Sequence, residues 1–320
     1  MDAALRISDL GLPTLVGDRF FFTEGPVWDP KTNVLYFTDI NALSIGVDGG
    51  AVVGGVIYRL TPPGAIDVVL LPAGNADGLA LDPSGNLLAA GFASRSAWRL
   101  TAARATQLLG PCDDAGVTSC YAGQPLNTPD DITARSDGTL YLTDPTFASE
   151  AQGFPKLTLP LSAAQGVYRV TLDGVLHLED ATENGPNGVN LSPDEKTLYV
   201  SYSNTSQVAK FDVAADGSLS HKTTFISGAL YADSMCVDSA GNLYVGTLRG
   251  LAVYAPDGAS LTTISVGGLL VTNCAFGGVD QRTLFITART RATLSGAPPL
   301  GGGALYQISN MPVPGIPGQN

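Results

Sequence analysis

Charge, histidine and reactive cysteine are what this chain has least of. Only 14% of its 320 residues are charged, 17 Lys and Arg stand against 29 Asp and Glu, and His177 and His221 are the two histidines. A net charge of −12 with no basic cluster argues against a nucleic-acid partner and against anionic membrane surfaces. No apolar run approaches the ~20 residues that cross a bilayer, so no membrane span is expected. The opening Met1-Asp2-Ala3-Ala4-Leu5-Arg6 lacks the basic and apolar regions of a signal peptide. The cysteines Cys112, Cys120, Cys236 and Cys274 show no Cys-x-x-Cys spacing, which speaks against zinc and dithiol-redox sites. Cys112 and Cys120 bracket a polar segment and can pair if the chain is exported. Cys236 and Cys274 sit in apolar strand patterns and read as small core residues. The compartment stays open between cytoplasm and export. Neither histidine lies in an inner-strand pattern, so no Ser-His-Asp arrangement assembles. No Gly-rich turn opens a helix, which leaves nucleotide binding without support.

What is present is glycine (38), proline (21) and 44% apolar residues, the profile of a turn-rich all-β protein. A strand-like phrase recurs six times, at Leu35–Asp39, Leu87–Gly91, Leu140–Asp144, Leu198–Tyr202, Leu243–Thr247 and Leu284–Ala288. Turns such as Asp82-Pro83-Ser84-Gly85-Asn86 and Asp238-Ser239-Ala240-Gly241-Asn242 precede the phrases, and such residues close tight hairpins. A third strand follows in each unit and a fourth in most. Nothing convincing follows Ile308, and a strand around Leu5-Arg6-Ile7 is placed to complete the last unit and close the ring. Repeats of roughly 40 to 58 residues with four strands each predict an all-β, six-bladed propeller spanning 1–320 as one domain, with an irregular tail from about 311.

Ten or eleven residues before each phrase stands a polar residue: Glu24, Asp77, Asp130, Asn187, Asp233 and Asn273. The innermost strand of a propeller blade lies there, so the six side chains are expected to converge on the axis. Four unpaired carboxylates cannot be buried together without a heavy desolvation cost, several kcal/mol per charge, and a cation resolves the conflict. Oxygen donors without Cys or His favour Ca²⁺, with Mg²⁺, Mn²⁺, Zn²⁺ or Fe²⁺ as alternatives. A solvated polar channel is the competing reading.

The phrases Glu24-Gly25-Pro26-Val27-Trp28, Asp137 to Thr146, Pro186-Asn187-Gly188 leading to Ser192 to Val200, and Thr272 to Gly278 occur in this order. With them the chain resembles the SMP-30/gluconolactonase/luciferin-regenerating enzyme family of six-bladed propellers. The resemblance implies that Glu24, Asn187 and Asp233 are metal ligands. It also implies that Asp130 stands where relatives carry Asn, as a further ligand or a base. Ser234 follows Asp233 where glycine is frequent in relatives, and its hydroxyl is a candidate contact. Where many relatives have a histidine after the second-blade strand this chain has Gly91-Phe92, so no histidine relay is expected there.

The implied activity is metal-dependent opening of a lactone or related ester. The cation stabilises the oxyanion, Asp130 or Asp233 takes a proton from water, and Asp77, Asn273, Ser234 and Phe92 form the surrounding or substrate-contacting set. Insertions at Asn41–Gly55, Leu109–Asn127, Phe147–Gln165 and Arg289–Gly303 are expected to set specificity. Leu157, Leu159, Pro160 and Leu161 point to a more hydrophobic lactone or ester than a plain sugar lactone. Two rivals share the site: phosphotriester or aryl-ester hydrolysis, and a non-catalytic propeller that binds a ligand or protein. A strictosidine-synthase-like condensation is a remote third.

Overall fold

A computed structural model describes residues 10–40, 43–45, 51–53, 55–70, 75–101, 104–109, 119–147, 164–266, 270–289 and 302–319. Six four-stranded antiparallel sheets, each running outward from an innermost strand, form a six-bladed propeller. The innermost strands are Thr23–Asp29, Ala76–Leu81, Ile132–Ala134, Pro186–Leu191, Met235–Val237 and Leu270–Gly277. The six recurring phrases are the second strands. The hairpins form for the reasons their sequences suggest: the Asp82 carboxylate accepts from Ser84 N and Asn86 N, both at 2.9 Å. Asp238 does the same for Ala240 N and Asn242 N, again at 2.9 Å.

Among the described residues the core divides into six apolar clusters, each lying between one blade and the next. Val27 and Ile57 of blade 1 meet Leu79 and Ala89 of blade 2, for example, and Phe285 and Leu305 of blade 6 meet Trp28 and Phe37 of blade 1. Each fully buried side chain of this kind contributes roughly 1.5–3 kcal/mol. Because both faces of a blade are covered, its inner strands are mostly apolar on both sides, and the charge found between blades, such as Arg169 against Glu179 at 2.7 Å, is paired. The remaining charges can gather elsewhere.

The ring closes as a shared sheet, with the N-terminal strand Thr14–Phe20 pairing with Gly303–Ile308 through Thr14↔Gln307 and Leu15↔Tyr306. The closing strand thus lies at 14–20; the expected position, Leu5-Arg6-Ile7, falls outside the described residues. The tail beyond 310 contains no strand but docks on blades 5 and 6, with Met311 and Val313 buried and Ser239 N donating to Pro314 O.

One expectation is corrected. Cys236 and Cys274 are fully buried, as core residues are, but they are joined in a disulfide. Innermost strands of neighbouring blades converge toward the axis. That convergence brings the two Cα atoms to 5.6 Å across a sequence separation of 38, within the range a disulfide spans. Cys120 is also disulfide-bonded; Cys112 lies outside the described residues.

Candidate active site on the propeller axis

The six polar residues sit at one register in their blades. Glu24 pairs with Thr38 and Asn273 with Thr287. Asp130 N donates to Thr143 O (3.0 Å) and Asp233 N to Gly246 O (2.9 Å). The partner is the fourth residue of the recurring phrase each time. Four inner strands also break register here, between Glu24 and Val27, Ala76 and Leu79, Pro186 and Val189, and Val271 and Asn273. Such bulges turn a side chain out of the alternation of the strand, and here they turn it toward the axis.

Packing of the inner strands against each other is close enough to exclude side chains next to the ring. A Cβ on Gly78 would lie 2.1 Å from Asp131 Oδ1, and one on Gly188 would lie 2.4 Å from Ser234 Cα. Glycine after the ring residue is therefore a steric requirement in blades 2 and 4. Hydroxyls of the second strands tie the blades together: Thr38 Oγ1 donates to Asp77 O at 2.8 Å and Thr143 Oγ1 donates to Asn187 O.

Glu24, Asp77, Asp130, Asn187, Asp233 and Asn273 are all buried. Burial, then the negative field of Asp233, holds the Glu24 carboxyl well above the usual range. Burial and Asp130 do the same for Asp233, and burial and Glu24 for Asp130. Asp77 is raised by burial and by Asp130, Glu24 and Asp233. The four carboxylates therefore feel one another directly. Asn187 lies against Asp233, and its Oδ1 is 3.4 Å from Ser234 Oγ, which donates to it. Asn273 is buried and faces Glu24, whose carboxyl its side-chain amide draws back down. Phe92 is fully enclosed, its backbone N donating to Asn75 O at 3.1 Å. Both histidines are exposed on outer strands, His221 against Asp212 at 2.9 Å.

Three further residues lie around this ring. Asp131, next to Asp130, accepts from Ile132 N (2.9 Å) and Val189 N (3.2 Å), so it braces blade 3 against blade 4. Burial lifts it to about 6, while these donors and the Ser234 hydroxyl pull it back. The signal for it was present, since it is a carboxylate where blades 1, 2 and 4 carry glycine. Tyr231 and Arg289 both lie within the electrostatic reach of Glu24 and Asp233. In the sequence Arg289 marks only the start of an insertion. Most of the four insertions, with Leu157, Leu159, Pro160 and Leu161, fall outside the described residues.

The donor set fits a hard cation. Among the described residues no three Asp, Glu, His or Cys side chains are gathered closely enough to hold an ion by themselves. Glu24 and Asp233, which feel each other's charge, and Asn187, which lies against Asp233, offer oxygen donors alone, the chemistry that a hard cation takes. Their mutual repulsion is what a bound positive charge would relieve.

Fold and site together define a propeller with an acidic, oxygen-lined centre. The sequence profile of the SMP-30/gluconolactonase/LRE-like region matches residues 22–290, and the chain belongs to that family. It is 28% identical over 308 residues to a gluconolactonase of Zymomonas mobilis, covering 88% of this chain and 80% of that one. It is 24% identical to a pentonolactonase of Haloferax volcanii, covering 82% and 80%. Among solved structures, a gluconolactonase from Xanthomonas campestris superposes with a TM-score of 0.77 at 27% identity, over 96% of this chain and 91% of that one.

Proposed function

We propose that the chain hydrolyses lactones at the axial site, with Glu24, Asn187 and Asp233 holding a divalent cation and Asp130 acting as general base. The observation that carries this reading is the group of buried carboxylates whose charges are left facing one another beside an amide oxygen. The lactonases among its relatives supply the substrate class. Ca²⁺ is the first candidate, because the donors are all hard oxygens; a relative from Agrobacterium tumefaciens, sharing the fold at 18% identity, is described as a calcium-binding regucalcin.

When bound, the cation supplies Lewis-acid polarisation of the lactone carbonyl. The chain's own groups do the rest. Asp130 is buried and lies in the negative fields of Glu24, Asp131 and Asp144, so its basicity is raised toward the working pH, as a general base requires. It takes a proton from the attacking water and returns one to the ring oxygen as the acyl–oxygen bond breaks. Asp131, fixed by two backbone N–H groups, holds the Asp130 backbone in place and does not itself reach for water. Asp77 and Asn273 complete the ring, and the Asn273 amide helps hold the Glu24 carboxylate in place.

The test is hydrolysis of aldonolactones and alkyl lactones followed by acid release, on protein stripped with chelator and reloaded with Ca²⁺, Mg²⁺, Mn²⁺, Zn²⁺ or Fe²⁺. Activity lost on stripping and regained with one ion is expected. Activity on aryl esters or phosphotriesters alone would replace the substrate class, and unaltered turnover after complete stripping would remove the cation from the mechanism.

A further inference from the structure

Lactone opening creates a charge the substrate did not have. Water adds hydroxyl to the acyl carbon, the acyl–oxygen bond breaks, the ring oxygen takes a proton, and the new acid loses one to solvent. A neutral substrate becomes a carboxylate beside Glu24 and Asp233, and a cation nearby would receive it. Arg289 is placed to do so. Thr23 Oγ1 donates to Ala304 O at 2.8 Å and to Ala288 O at 3.1 Å, so the residue before Glu24 and the residue before Arg289 share one node. That node sets the end of the second strand of blade 6, Thr283–Arg289, beside the first ring carboxylate. The guanidinium lies over the Phe22 ring, 4.1 Å from its centroid, a stacking that suits arginine and not lysine.

Tyr231 completes the arrangement from blade 5. It occupies the segment leading into Asp233 with a positive φ of 55°, and its N donates to Ser206 Oγ at 3.0 Å, which pins it. Outside it, Leu230 and Leu248 are 41% and 38% exposed, joined by Leu248 N donating to Leu230 O at 3.1 Å. A guanidinium and a phenol hydroxyl present donors in the pattern that a carboxylate accepts, while the leucines offer an apolar lip for the rest of the molecule.

Building on the lactonase reading, we propose that Arg289 and Tyr231 form the subsite for the carboxylate released on ring opening. Arg289 is then the residue that separates the charged hydroxy acid from neutral polyols. The role is distinct from holding the cation, since an arginine cannot ligate one.

Calorimetric binding of gluconate and of its uncharged counterpart glucitol tests this on the full chain loaded with its ion. The wild type is expected to prefer gluconate. Arg289→Gln should weaken gluconate about tenfold or more, leave glucitol unchanged, and relieve inhibition of lactone opening by gluconate to the same extent. Ion affinity should stay the same or tighten, because a competing positive charge is gone. Arg289→Lys, which keeps the charge without the planar fork, should fall between, and it serves if the glutamine variant does not fold. Tyr231→Phe should give a smaller loss for gluconate alone. Equal loss of gluconate and glucitol would reduce Arg289 to a structural role. A wild type without preference for the acid, or a folded Arg289→Gln that binds gluconate normally, would overturn the subsite. Should gluconate binding depend on Arg289 in a protein that opens no lactone, the lactonase reading fails and the carboxylate subsite stands.

Discussion

Asp39 and Asp144 are as deeply buried as Glu24 and Asp233, and the two pairs are treated in opposite ways. Asp39 accepts from Phe21 N at 2.9 Å and Phe22 N at 2.6 Å. Asp144 accepts from Asn127 N at 2.8 Å and from Asn127 Nδ2 at 3.2 Å. Each ends a second strand and grips the segment that leads into an inner strand, a few residues before Glu24 or Asp130. Backbone donors offset part of their burial and tie them to the chain, so they act as struts. Glu24 and Asp233 face other carboxylates, and the little that offsets their burial comes from Gly25 N, Ser234 N and the amides of Asn273 and Asn187. In a chain this poor in charge, that difference separates an acid tied into the fold from one left facing its own kind, and on the proposed reading the second kind holds the cation.

The comparison is sharpest in the ring itself. Asp233→Asn or Glu24→Gln should lower kcat/KM by roughly a thousandfold or more through lost cation binding. It should also raise the melting temperature of the ion-free protein, because a repulsive charge has been removed. A stabilised, ion-free variant with full activity would break the distinction. Asp130→Asn should cost about 10² to 10⁴ in kcat with the ion still bound; unchanged kcat would end the assignment of Asp130 as base. The struts should behave the other way. Asp39→Ala or Asp144→Ala leaves buried backbone N–H groups unsatisfied and should cost about 1–3 kcal/mol of stability. Denaturant melts would show this while the folded fraction still binds the ion.

The smallest effect is on pH dependence. Burial raises Asp39 and Asp131 from 3.8 to about 6 and Asp144 to about 7. A raised acid binds more protons folded than unfolded between 3.8 and its folded value, so stability falls as pH climbs through that window. The cost is complete above 7 and absent below about 4. There, Asp82 and Asp180, whose burial is outweighed by hydrogen bonds from Asn86 and Lys222, take over with the opposite sign. The ion-free protein should melt a few degrees higher at pH 5 than at pH 8, and a bound cation should flatten the slope. A melting point that rises from pH 5 to 8 without the ion would contradict these shifts.

The blades were legible because each second strand is an apolar phrase behind a turn of Asp, Pro, Gly or Asn, and six copies reinforce one another. The ring positions were legible because they keep a fixed distance from those phrases. What stayed hidden depends on contacts between blades. The Cys236–Cys274 pairing needs two inner strands side by side, which no spacing announces. Thr14–Phe20 carries Gly17, Asp18 and Arg19 and shows no clean alternation, so nothing in it announces the closing strand. Arg289 and Tyr231 come within reach of Glu24 and Asp233 where Thr23 ties blade 6 to blade 1 and where a positive φ turns the segment before Asp233.

Titrating Ca²⁺ into ion-free protein near pH 7.5, for the wild type beside Asp233→Asn, bears most directly on the idea that these acids are gathered for a cation. One ion per chain is expected, with a rise in melting temperature that the variant loses. No saturable binding by the wild type to any of the five ions, or equal binding by a folded Asp233→Asn, would show that the carboxylates meet for some other reason.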